Sequence, residues 1–219
     1  MYSDTWTAKF VKEKLASEHN VKNIVIEKPN IVIVDRDEGP SFTVFCMSLS
    51  KIGHDTMIEI ADGTEDLIFI TNIKKDYVIY GVTLEYLSRK DISFGGFGDL
   101  GHFAYKSDND LYENKNYTFI KNALEHHRAV ARHYRPDNNT IAILRKGFEK
   151  ELTMATTYDY DVSAESIRKA RTLSSDFNVL VGMNPYGRIT GAAVSAAESM
   201  GVEVCMWKEF LGKLNSQWK

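Results

Sequence analysis

The side chains whose types and spacing offer the most chemistry lie between Arg135 and Thr153. Asp137 follows Pro136 and precedes the β-branched run Thr140 to Leu144. The polar reversal Arg145-Lys146-Gly147 then leads to Glu151-Leu152-Thr153. A hairpin sets the start of one strand beside the end of the next, so Asp137 and Glu151 are expected to converge on one hard cation, which takes oxygen ligands. Magnesium or manganese held there would activate a water and stabilise the leaving oxygen of a phosphodiester. The plain alternative is a Pro-Asp turn and a solvated Glu at the base of a hairpin.

A second candidate is the segment Asn184-Pro185-Tyr186-Gly187-Arg188-Ile189-Thr190, between an apolar strand and an alanine-rich helix. Gly187, Arg188 and Thr190 would border a turn where free N–H groups at a helix start receive a phosphate or nucleotide. The competing reading is that Thr190 caps the helix while Ala193 and Ala197 let it approach the sheet. Gly96-Phe97-Gly98-Asp99-Leu100-Gly101 satisfies a dinucleotide-binding pattern in letters, but the residues from His102 to Asp110 lack an apolar helical period, so a loop is expected. His126, His127 and His133, with Arg128, Arg132 and Arg135 nearby, read as a solvated, mildly basic helix face, the other reading being a patch that meets phosphate.

The elements that must position these groups divide at the glycine-punctuated stretch Ser88 to Tyr117. Residues 1–116 read as a β-rich region with an N-terminal helix, its strands at Ile24 to Ile26, Ile31 to Val34, Phe42 to Met47, Leu67 to Thr71 and Tyr77 to Val82 forming an antiparallel meander. Residues 117–219 change rhythm. Ile120, Leu124, His127, Ala131 and Tyr134 recur at helical spacing up to Arg135-Pro136. A hairpin, a helix capped by Ser163, the apolar strand Phe177 to Gly182, a helix from Ile189 stopped by Gly201, a strand and a last helix complete the series. This order predicts an α/β fold (α+β over the whole chain), with a mixed sheet flanked by helices in the C-terminal half. No internal repeat is visible.

From about Tyr117 to Leu214 the chain resembles the PD-(D/E)XK nuclease superfamily, the restriction-endonuclease-like fold: a helix, then Pro-Asp, a hairpin, a strand opening with Glu, and an αβα tail. The resemblance implies Asp137 and Glu151 as metal ligands and Glu125, on the preceding helix, as the extra carboxylate found in some members. Thr153 stands where the family has its lysine, which orients or polarises the attacking water, and Lys150 would have to reach in from the hairpin instead. The implied function is a magnesium- or manganese-dependent nuclease, or a nuclease-like DNA-binding protein, acting on DNA rather than RNA, with the first half as recognition part; a homodimer would suit cutting of two strands. The alternative is a non-enzymatic regulatory or interaction protein with a phosphate- or nucleotide-binding α/β domain.

Composition bounds these readings. Over 219 residues, 43% hydrophobic and 26% charged residues leave no room for a disordered, collagen-like or disulfide-scaffold chain. The net charge of −3 requires any nucleic-acid contact to come from a local patch. Cys46 and Cys205 sit in separate apolar runs and read as buried free thiols of a reduced protein. No leader or membrane span is apparent, and a cytoplasmic location is expected.

Overall fold

The computed structural model describes residues 5–218. It is an α/β protein that divides between Thr118 and Phe119 into two compact units. The first contains α1 (Thr5–Leu15), β1 (Val21–Lys28), β2 (Ile31–Arg36), β3 (Phe42–Met47), β4 (Lys51–Ile52), α2 (His54–Gly63), β5 (Leu67–Asn72), β6 (Val78–Ile79), α3 (Gly81–Arg89), β7 (Ser93–Gly96) and α4 (Phe97–Tyr105). Its main sheet has the order β1-β2-β3-β5-β7. The first three strands are antiparallel, whereas β5 and β7 run parallel to β3.

The expected meander therefore ends at β3. A parallel return needs a crossover, and α2 and α3 supply it; of the expected strand Tyr77 to Val82 only Val78–Ile79 is extended, paired with β4, and α3 begins at Gly81. Alternation along β3 sends Val44 and Cys46 to one face, packed with Val11, Leu15, Leu100 and Phe103 of α1 and α4. Phe45 and Met47 go to the other, packed with Met57 and Ile60 of α2 and Leu87 of α3. The unit is a sheet between two helical layers.

The second series contains α5 (Lys115–Glu125), β8 (Val130–Asp137), β9 (Thr140–Arg145), β10 (Leu152–Thr157), β11 (Asp161–Val162), α6 (Ala164–Leu173), β12 (Val179–Gly182), β13 (Arg188–Ile189), α7 (Gly191–Ser199), β14 (Glu203–Met206) and α8 (Trp207–Lys213). The expected helix up to Tyr134 stops at Glu125. Val130 onward pairs with β9 as an edge strand, where Pro136 costs no interior ladder bond. Ser163 accepts the N–H of Ser166 and caps α6, and Ala193 and Ala197, fully packed, bring α7 against α6 and the sheet.

The two series are the same fold twice. The sheet order β14-β12-β10-β9-β8 mirrors that of the first unit, with the same antiparallel and parallel pairings. β1 and β2 recur as β8 and β9 109 residues later. From β3 onward each element recurs 110 residues later, so that Phe42 corresponds to Leu152, Val78 to Arg188 and Phe97 to Trp207. Register agrees: Val34↔Phe42 recurs as Ile143↔Leu152, and Asn72↔Gly96 as Gly182↔Met206. Even the irregularities recur, with shifts between Val21 and Asn23 and between Val130 and Arg132. The chain thus contains a structural repeat that its sequence conceals, because few side chains are retained, Thr43/Thr153, Ile79/Ile189 and Gly81/Gly191 among them.

Cys46 and Cys205 are buried free thiols, and burial pushes the Cys205 thiol up to about 12. Among the described residues no helix is long and apolar enough to cross a membrane.

Candidate functional site

Asp137 closes the β8–β9 hairpin and is fully buried. Its Oδ1 accepts the backbone N–H groups of Asn139 (2.7 Å) and Thr140 (2.9 Å), and its Oδ2 accepts that of Ser175 (2.5 Å), beyond α6. The carboxylate's directions are committed to the backbone. It acts as a turn cap that also ties down a distant loop.

Glu151 lies elsewhere. Asp137 is level with Thr140 on β9, whereas Leu152 is level with Ile143, which puts Glu151 beside Leu144. Four residue steps of ~3.4 Å along the sheet and two strand spacings of ~4.8 Å across it separate the two backbones by roughly 17 Å. The hairpin brings together the end of β8 and the start of β9, but Glu151 belongs to the far end of the next turn. Its exposed carboxylate accepts a hydrogen bond from Tyr134 Oη (2.9 Å), which holds the phenol's pKa up. Glu125 ends α5 and faces His133, with 4.0 Å between Oε1 and Nε2. Lys150 is exposed in the turn before β10.

Thr153 is half-buried on β10, its backbone N–H donating to Asn178 Oδ1, and its counterpart in the first unit is again a threonine, Thr43. The structure therefore does not bring Asp137, Glu151, Thr153, Lys150 and Glu125 to one point. Among the described residues no three His, Cys, Asp or Glu side chains gather as a metal site.

The turn before α7 is also spoken for. Arg188 Nε donates to Asp161 Oδ1 at 2.6 Å, which raises the guanidinium's pKa. Thr190 Oγ1 donates to the Val162 carbonyl and accepts the Ala193 N–H, so the capping reading holds at this helix start. Gly187 packs against the chain, where a Cβ would come within 2.9 Å of the Tyr160 carbonyl oxygen.

The Gly96 to Gly101 segment is not a loop, since β7 ends at Gly96 and α4 begins at Phe97. Asp99 takes the place an anion would occupy: its Oδ2 accepts the Gly96 N–H, and its Oδ1 accepts Tyr112 Oη and Asn114 Nδ2. The carboxylate and burial together raise the Tyr112 pKa, burial contributing more.

Sequence reasoning passed over a set of aromatic side chains. Tyr158, Tyr160 and Tyr186 are 46%, 61% and 82% exposed on the loops that leave the ends of β10 and β12. The two loops are joined by the Arg188 N–H donating to the Tyr160 carbonyl at 2.9 Å and by the β11–β13 pairing. In the first unit the same connection is the Val78 N–H to the Ser50 carbonyl, also 2.9 Å, and the positions of the three tyrosines are taken by Ser48, Ser50 and Asp76. The backbone is thus built equally well without aromatic residues at these three positions, although Tyr77 and Tyr80 flank β6 in the first unit. Only the comparison of the two units makes this visible, and it depends on an alignment that the letters do not supply.

The first unit has its own open cleft of about 630 Å³, lined by Glu18, His19, Asn20, Asp37, Glu38 and Asp108 among others. Asn20 is satisfied by Glu38 and by the Ala104 and Lys106 carbonyls, and Asp108 by Lys106. No family model, curated protein or solved structure matches this chain.

Proposed function

We propose that this chain is a non-catalytic interaction protein, a tandem of α/β units whose second unit engages a protein partner through Tyr158, Tyr160 and Tyr186. The observation that carries this reading is the internal contrast: one backbone, exposed aromatic residues in one copy, and Ser48, Ser50 and Asp76 in the other. Large exposed rings that the fold does not require are a cost in water and an asset at an interface, where tyrosine supplies area and a hydroxyl at little entropic cost.

Local charge favours a protein over a polyanion. Asp161 is paired with Arg188, and Asp159 accepts the Ser166 hydroxyl at 2.5 Å, so the patch is aromatic and, with two aspartates to one arginine, slightly acidic. The first expectation from the sequence, phosphodiester cleavage at Asp137 and Glu151, lacks support in their placement at opposite ends of the β8–β10 region.

The test is to graft the first unit's residues, Tyr158→Ser, Tyr160→Ser and Tyr186→Asp together, and compare cross-linked partners with those of the wild type by mass spectrometry. A protein captured by the wild type and lost with the graft, at unchanged melting temperature, is the expected result. Equal capture refutes the surface. Cleavage of DNA or RNA by the wild type in magnesium or manganese, abolished by Asp137→Asn, refutes the non-catalytic reading.

A further inference from the structure

Each unit ends its second strand with a buried arginine, and the two are provided for very differently. Arg36, at the end of β2, is 5% exposed. Its Nε donates to the Ala104 carbonyl, its Nη1 to the Pro40 carbonyl and Asn109 Oδ1, and its Nη2 to the Phe103 carbonyl, all between 2.7 and 3.2 Å. The guanidinium lies 4.1 Å over the Phe42 ring, and the charge of Asp108 opposes the lowering of its pKa by burial.

Arg145, 109 residues later at the end of β9, is also 5% exposed and lies 4.1 Å over the Phe148 ring. It makes one hydrogen bond, from Nη1 to the Ser216 carbonyl at 2.6 Å. Its Nε is buried with no partner, and among the described residues no carboxylate is paired with it. Burial lowers its pKa with no charge in opposition. A buried guanidinium short of both acceptors and a counter-charge is an expensive arrangement, and an anion relieves it.

The surroundings have changed sign with the arginine's circumstances. The first unit places Glu18, His19, Asp37 and Glu38 at this corner; the corresponding residues of the second are His127, Arg128, Lys146 and Gly147. Lys146 donates its backbone N–H to the Ala129 carbonyl at 2.8 Å, which sets it beside Arg128, and Val130 is in register with Arg145. Arg128 and Lys146 are exposed, and no ion pair holds either among the described residues. Arg128 and Lys146 are thus backbone neighbours of Arg145 where the α5–β8 turn joins the end of β9.

We propose that this corner of the second unit binds a phosphate-sized oxyanion, with Arg145 giving the donors the fold leaves unused and Arg128 and Lys146 adding charge. The site does not involve the tyrosine surface, so either reading can fail without the other. Inorganic phosphate is the probe, titrated at constant ionic strength against chloride, with melting temperature and heat of binding as readouts. A saturable rise in melting temperature is expected, because a ligand that binds only the folded state stabilises it.

Arg145→Met should fold without phosphate and lose the response, since an apolar side chain is tolerated where a buried charge lacked compensation. Arg128→Gln with Lys146→Gln, both on the surface, should keep the fold and weaken phosphate binding about tenfold, which preserves the test if Arg145→Met does not fold. An oligothymidylate that competes with phosphate would identify a polymer as the source of the anion, and one that does not compete would identify a free phosphate. A linear, unsaturable response, or one equal in the wild type and the double variant, would overturn the site.

Discussion

Replacement of Asp137 by Asn separates a structural carboxylate from a metal ligand by the sign of its effect. If two carboxylates faced each other around an absent cation, their repulsion would be relieved and the protein would be no less stable. In the observed geometry the opposite holds. Oδ1 accepts two backbone N–H groups and Oδ2 a third, all from a fully buried position. An asparagine that keeps its oxygen toward Asn139 and Thr140 retains those bonds without charge assistance, a loss of about 0.5–1 kcal/mol each. Its amide then points N–H at the Ser175 N–H, so the third bond, worth about 1.5–3 kcal/mol, is lost and a donor faces a donor.

The expected total is about 2.5–5 kcal/mol, a large part of the stability of a unit of this size. Urea denaturation followed by fluorescence measures it, with Glu151→Gln, on an exposed side chain, as the control expected to stay within about 0.5 kcal/mol. An Asp137→Asn protein as stable as the wild type, together with loss of a magnesium-dependent stabilisation seen only in the wild type, would refute the reasoning.

Local geometry sets two further outcomes. Gly95→Ala should destabilise the first unit by about 1–3 kcal/mol, because the added Cβ would stand 2.5 Å from Asp99 Cβ and displace the cap of α4; an unchanged melting temperature would show that Asp99 can move at no cost. His133, on β8, is desolvated and its pKa is lowered, the opposing charge of Glu125 being the smaller effect. The unfolded chain therefore binds this proton more readily, so His133 adds stability above its ordinary pKa of about 6.5 and that stability is lost as pH falls through the lower folded value. His133→Gln should flatten the fall in stability on acidification below pH 6.5, and an unchanged slope in denaturant titrations would assign the acid sensitivity elsewhere.

Elements that declare themselves locally were legible in the letters. The β-branched runs around Val32, Val44 and Ile141 became strands, Ser163 capped a helix, and Ala193 and Ala197 made a helix thin enough to pack closely, because propensity, capping and side-chain size act within a few residues. Strand direction is different in kind. Whether β5 runs with or against β3 depends on the crossover through α2, whose buried contacts, at Met57 and Ile60, are made with strands distant in sequence.

The placement of Asp137 and Glu151 was likewise beyond the letters, since a hairpin joins neighbouring strand ends and register alone says which ends these are. The arginines show the division most clearly. Asn30 to Arg36 and Asn139 to Arg145 look alike as strings, and each predicts a strand ending in a cation. That the first cation is ringed by acceptors and the second left one carbonyl was decided by chain segments returning from about 70 residues away, Phe103 to Asn109 in one unit and Ser216 in the other. Burial and hydrogen bonding are set by what packs on a residue, and packing partners are chosen in three dimensions.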